Sequence, residues 1–93
     1  MSTEVKHEPD RSRYALYVDG NDAGEVNYHV QDGAVVMTRV VVDPHRRGEG
    51  LGGELVQAAL DDVRTNGSGL VVAACPFVAA FFEEHPDYRD LEA

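Results

Sequence analysis

The chain has 93 residues, enough for one domain around one modest core. A net charge of −9, with Lys6 and seven arginines against 17 acidic residues, argues against a nucleic-acid partner, which would meet a basic footprint. The single Cys75 excludes an internal disulfide and a cysteine metal cage, and His7, His29, His45 and His85 show no paired ligand spacing, so no metal site is expected.

The 43% apolar content is that of a globular protein. No apolar run approaches the ~20 residues of a membrane span, and no leader pattern opens the chain, so no membrane partner and a cytoplasmic location are expected. The acidic, lysine-poor composition fits either simple solubility or adaptation to high salt.

Residues 1–12 are polar and without period, which predicts a flexible N-terminus, and 13–93 then form the domain. Arg13 to Val18 alternates, with Tyr14, Leu16 and Val18 on one face, as a strand does. Asp19-Gly20-Asn21-Asp22 is turn chemistry. Glu25 to Val30 alternates again, with Val26, Tyr28 and Val30 inward, so the two runs predict an antiparallel hairpin. After the turn Gln31-Asp32-Gly33, Ala34 to Val42 is apolar on both faces, the pattern of a central strand covered on both sides. Thr38 and Arg39 interrupt it, and such a polar pair marks a bulge, a site or local exposure at one face.

That strand runs through Val42-Asp43-Pro44-His45-Arg46-Arg47 into Gly48-Glu49-Gly50-Leu51-Gly52-Gly53. From Gly50 to Asn66 the apolar residues Leu51, Leu55, Ala59 and Val63 recur at helical spacing, with Glu54, Gln57, Asp61 and Asp62 opposite. Asn66-Gly67-Ser68-Gly69 stops the helix, and Leu70 to Ala74 is a short apolar strand. Strand, helix and strand make a right-handed βαβ crossover, so the last two strands should be parallel. Cys75-Pro76 opens a second helix, with proline in its first turn. The pairs Phe77 and Phe81, and Val78 and Phe82, read as its core face. His85-Pro86 ends it, and Tyr88 and Leu91 pack a tail back.

Four glycines between 48 and 53 at a helix start let a ligand approach the backbone. Helix N-termini present unpartnered N–H groups and partial positive charge, so the turn is an anion cradle suited to a phosphate or pyrophosphate. A dinucleotide site would need an acidic residue at the end of the next strand, where Ala73-Ala74-Cys75 stands. A nucleoside-triphosphate loop would need Gly-Lys-Ser/Thr, but Glu54 follows Gly53.

The segment Arg47-Gly48-Glu49-Gly50-Leu51-Gly52 resembles the (Gln/Arg)-x-x-Gly-x-(Gly/Ala) motif of the GCN5-related N-acetyltransferases, and Val42-Asp43-Pro44-His45-Arg46 resembles its lead-in. Cys75-Pro76-Phe77-Val78 followed by His85-Pro86-Asp87-Tyr88 is similar, more narrowly, to small single-domain acetyltransferase-like proteins of the YjdJ/NATD1 type. The resemblance implies a minimal α/β (α+β) acetyltransferase fold: antiparallel hairpin strands leading to a central strand, two parallel splayed strands and two main helices. It implies an N-acetyltransferase using acetyl-coenzyme A as cosubstrate and an unidentified amine as acceptor. The alternative is a non-catalytic coenzyme A-binding or protein-interaction module.

The implied cofactor-binding residues are Val40, Val42, Arg46, Arg47, Gly48, Glu49, Gly50, Leu51, Gly52 and Gly53. Larger relatives supply a proton from a tyrosine on the last helix, where Phe82 stands here, and many carry a histidine where Arg39 stands. Cys75, at the end of the second parallel strand and the start of a helix, is the candidate catalytic group, as acetyl acceptor or proton donor. A buried, inert thiol is the competing reading.

Overall fold

The computed structural model describes residues 2–46 and 48–93. Five strands, β1 (Thr3–Glu8), β2 (Arg13–Val18), β3 (Asn21–Gln31), β4 (Ala34–Val42) and β5 (Val71–Ala73), form one sheet in the order β1-β2-β3-β4-β5. The first four are antiparallel and β5 runs parallel to β4. Helix α1 (Leu51–Asn66) makes the crossover, and α2 (Pro76–Glu84) follows β5. This is the minimal mixed sheet with two helices that the pattern predicts.

The alternation of β2 and β3 and the helical repeat of α1 meet in one core. Leu16, Val18, Val26 and Met37 from the sheet lie against Leu55, Val56, Ala59, Leu60 and Val63 of α1 and Val78, Phe81 and Phe82 of α2. Each large aliphatic side chain buried this way contributes roughly 1.5–3 kcal/mol. Tyr88 and Leu91 close the core from a 3-10 segment, Pro86–Leu91, and Ala93 N–H donates to Val71 O, covering part of the outer edge of β5.

Three expectations need correcting. The first is the loose N-terminus: Thr3–Glu8 is an edge strand on β2. The Glu8 carboxylate accepts from Arg13 Nε and Tyr17 OH, each at 2.6 Å, and the His7 ring stacks on Tyr14 with centroids 4.3 Å apart. Those partners lie in β2, so no local pattern within residues 1–12 announces the strand. The second is Val30, read as inward but 66% exposed. Alternation predicts a face, whereas burial needs something covering it. The third is the double cover of β4, whose residues Val36 and Val41 are only half-buried, with Thr38 and Arg39 exposed.

The polar pair in β4 does mark a bulge. Asn27 pairs with Arg39 and Tyr28 with Met37, which leaves Thr38 as the extra residue. A second register shift, opposite Leu16 and Tyr17, falls at Ala23 of β3.

Candidate functional site

The site begins where β4 and β5 part. Their pairing runs from Val35 with Val71 to Met37 with Ala73, and Ala74 N–H donates to Met37 O at 3.1 Å. β5 does not continue, because Pro76 has no N–H to pair and opens α2, with Cys75 (φ −113, ψ 133) as its N-cap. β4 runs on from Thr38 to Val42, turned by the bulge, with only β3 beside it. At its end Asp43 N–H donates to Ala23 O on the β3 side. Backbone alternation then aims the N–H and C=O groups of Val40 and Val42 the other way, into the gap.

Pro44 ends β4, and a short 3-10 turn, Pro44–Arg46, redirects the chain. Asp43 organises that turn: its Oδ1 accepts from His45 N–H at 2.9 Å and its carbonyl from Arg46 N–H at 2.9 Å. Gly48 (φ +86) and Gly50 (φ +74) then take left-handed conformations that an L side chain resists, and a Cβ on either would point into open space. Gly50 caps α1 without a side chain, and the first bond closing onto it is Glu54 N–H to Gly50 O. The amides of Leu51, Gly52 and Gly53 therefore have no acceptor within the helix.

Turn and gap share one cavity of about 490 Å³, lined by Val40, Val42, Arg46, Gly48, Gly50, Leu51, Gly52, Gly53 and Phe77. One end offers amides, a helix N-terminus and a guanidinium, which suit an anion. Towards β4 the cavity is walled by Val40 and Val42, with strand peptide groups free to pair with a ligand's amides, and Leu51 and the Phe77 ring beside Gly52 add apolar surface next to the turn.

Eight of the ten expected cofactor-binding residues thus lie together. Glu49 is not in the lining; it is exposed and stands 3.9 Å from Arg46. Arg47 lies outside the described residues. Cys75 caps α2 and is buried, and it is not part of the lining either. Arg39 and His45 are exposed and stand outside the lining. Tyr88 donates its hydroxyl to Asp61 Oδ1 at 2.7 Å, which raises its pKa and ties it to α1. Among the described residues no cluster of three or more His, Cys, Asp or Glu could hold a metal, and no helix is long and apolar enough to cross a membrane.

One lining residue was missed. Phe77, read as core from its spacing to Phe81, is 45% exposed and borders the cavity. Its position in the first turn of α2 sets it beside Gly52 rather than under the helix.

Residues 13–91 match the profile of a family described as GCN5-related N-acetyl-transferase. Among solved structures the chain is similar to the ribosomal-protein-S18-alanine N-acetyltransferase from Escherichia coli, with a TM-score of 0.63 and 21% identity over 77% of this chain and 49% of that one. It is also similar to a GNAT-family protein from Desulfovibrio desulfuricans assigned as an acetyltransferase, with a TM-score of 0.56 and 23% identity over 81% of this chain and 52% of that one. The chain spans about half the length of these two structures, and at such identities the likeness is one of fold. No curated protein matches it.

Proposed function

Since this chain belongs to the GCN5-related N-acetyltransferase family, we propose that its glycine turn and strand gap bind acetyl-coenzyme A and that it transfers the acetyl group to an amine. The supporting observation is the single cavity joining the unpartnered amides of Leu51, Gly52 and Gly53 to the open edge of Val40 and Val42. The diphosphate would take the amides and Arg46, and the two amide groups of the pantetheine arm would pair with β4 as an added strand. Arg47, Gly48, Glu49 and Gly50 belong to the same grip in this reading. Within the family we assign the chain to the small YjdJ/NATD1 type, on the Cys75-Pro76-Phe77-Val78 segment.

In the transfer step a neutral amine attacks the thioester carbon. The carbon–sulfur bond breaks, coenzyme A leaves as thiolate, and the new ammonium loses its proton. Cys75 is the single thiol of the chain and stands at the head of α2. Two roles follow for it: taking the acetyl group as a thioester before the amine does, or protonating the departing thiolate.

A second reading, a coenzyme A-binding module without transfer, draws on the side chains that would supply a tyrosine acid. Phe82 is fully buried and Tyr88 is committed to Asp61. A third is a protein-interaction module.

Calorimetry with acetyl-coenzyme A, then incubation of labelled acetyl-coenzyme A with a panel of amines, separates the three. Saturable binding to the wild type, none to Gly50→Glu, and label on an amine are expected. Cys75→Ala should abolish transfer while leaving binding intact, and label trapped on wild-type protein alone identifies the thioester route. Binding without transfer to any amine favours the module. No binding, unaltered by Gly50→Glu, overturns the coenzyme A reading.

A further inference from the structure

Phe77 is a half-exposed aromatic ring in a position where the core does not need it: Val78, Phe81 and Phe82 of the same helix are buried, and Phe77 is not. Its ring lies over Gly52 so closely that a Cβ there would sit 2.7 Å from the ring Cζ, a distance real Cβ contacts do not reach. By contrast, a Cβ on Gly48, Gly50 or Gly53 would meet nothing within 4 Å. Gly52 is in α1 and needs no left-handed backbone, so its missing side chain is explained by the ring. The pair brings the first turn of α2 against the first turn of α1 across the mouth of the gap, and Phe77 is the apolar wall beside the anion end of the cavity.

Coenzyme A has a matching feature. The carbon bearing two methyl groups is one methylene away from the diphosphate, so a diphosphate on the turn brings that branched carbon beside the nearest apolar surface. We infer that Phe77 is a cosubstrate-binding residue whose ring seats the dimethyl carbon of the pantetheine arm, and that Gly52 is without a side chain in order to receive that ring. This rests on the coenzyme A reading above and adds to it the group that grips the branched carbon.

Calorimetry with two probes tests it: coenzyme A, and adenosine 3′,5′-bisphosphate, which carries the nucleotide end without the arm. Circular dichroism establishes that each variant is folded. Phe77→Ala should weaken coenzyme A by about tenfold, the loss of roughly two buried methyl contacts. The bisphosphate should change by less than about twofold, and Phe77→Leu should keep most of the affinity for coenzyme A. Gly52→Ala should weaken coenzyme A in the wild-type background and much less in the Phe77→Ala background, where no ring is left to displace. Full coenzyme A affinity in Phe77→Ala, or equal loss of both probes, overturns the role of the ring. An equal effect of Gly52→Ala in both backgrounds overturns the role of the glycine. A wild type that binds no coenzyme A overturns the parent reading and this inference together, whereas wild-type binding that Phe77→Ala leaves intact overturns the inference alone.

Discussion

Arg13 is the most constrained charge among the described residues. It is 7% exposed, and its guanidinium meets Glu8 and Glu25 at 2.6 Å each and Asp22 at 3.3 Å. Three carboxylates around one cation hold its pKa above the usual arginine range; the cation in turn holds Glu25 below its own, and Glu8 is lowered first by the Tyr17 hydroxyl and then by Arg13. Arg13→Met keeps much of the side-chain length but leaves the carboxylates facing one another. Because those carboxylates are partly exposed, the expected loss is about 2–3 kcal/mol, somewhat below that of a fully buried pair. Urea denaturation checks it, and a loss below about 0.5 kcal/mol would show that the cluster is solvated surface. The residue type alone carried none of this: Arg13 opens an alternating run and reads as polar, and its partners come from two other strands, Glu8 from β1 and Asp22 and Glu25 from β3. Gly48 and Gly50 are the opposite case. Their left-handed backbone is what a glycine cluster before a helix announces, because the constraint is local.

At the scale of elements, α1 and the β2–β3 hairpin were readable because each carries its own period. β1 was not, since Thr3 to Glu8 exposes most of its residues and takes its stability from β2 and α1. His7 shows how: it stacks on Tyr14, meets Tyr28 OH at 2.6 Å and stands 3.5 Å from Asp62 of α1. Deleting residues 1–8 removes these contacts together with the Glu8 partner of Arg13. The truncated chain should therefore melt well below the full chain, and Arg13→Met should cost less in it, because part of the same network is already gone. Identical melting of the two chains would restore the loose-terminus reading. The parting of β4 and β5 also belongs to this scale. Pro76 announces the end of β5, but the bulge at Thr38 appears only when β3 is laid beside β4.

Across the whole molecule, acidity governs the response to pH. Glu8 is held below the ordinary carboxylate range by its hydrogen bonds to Tyr17 and Arg13, and Glu25 by its bond to Arg13. Burial alone would raise Asp62, but the hydrogen bonds from Tyr14 and Asn66 outweigh it and its pKa is lowered. A depressed carboxylate contributes stability that is present above its unfolded pKa, about 4, and is lost as the pH falls through the folded value. Tyr14 has the opposite sign: burial and then Asp62 raise its pKa, so its contribution is lost as the pH rises above about 10. Thermal melting should show a plateau between roughly pH 5 and 9 with a fall on either side. The acid fall should be shallower in Arg13→Met, where Glu25 loses its main partner and Glu8 keeps only Tyr17. An acid limb unchanged in that variant would remove Arg13 as its cause.

By itself the sequence determined what depends on neighbours along the chain. Strand alternation, the helical repeat, the prolines that end β4 and open α2, and the glycine cluster each constrain their own backbone, and together they specify a crossover with a glycine turn at the start of its helix. Tertiary structure alone decided what surrounds that turn. The open edge of β4, the edge strand β1, the cation cluster at Arg13 and the ring of Phe77 over Gly52 all join residues far apart in sequence. Such contacts depend on register, bulges and the relative seating of helices, and no local pattern encodes them.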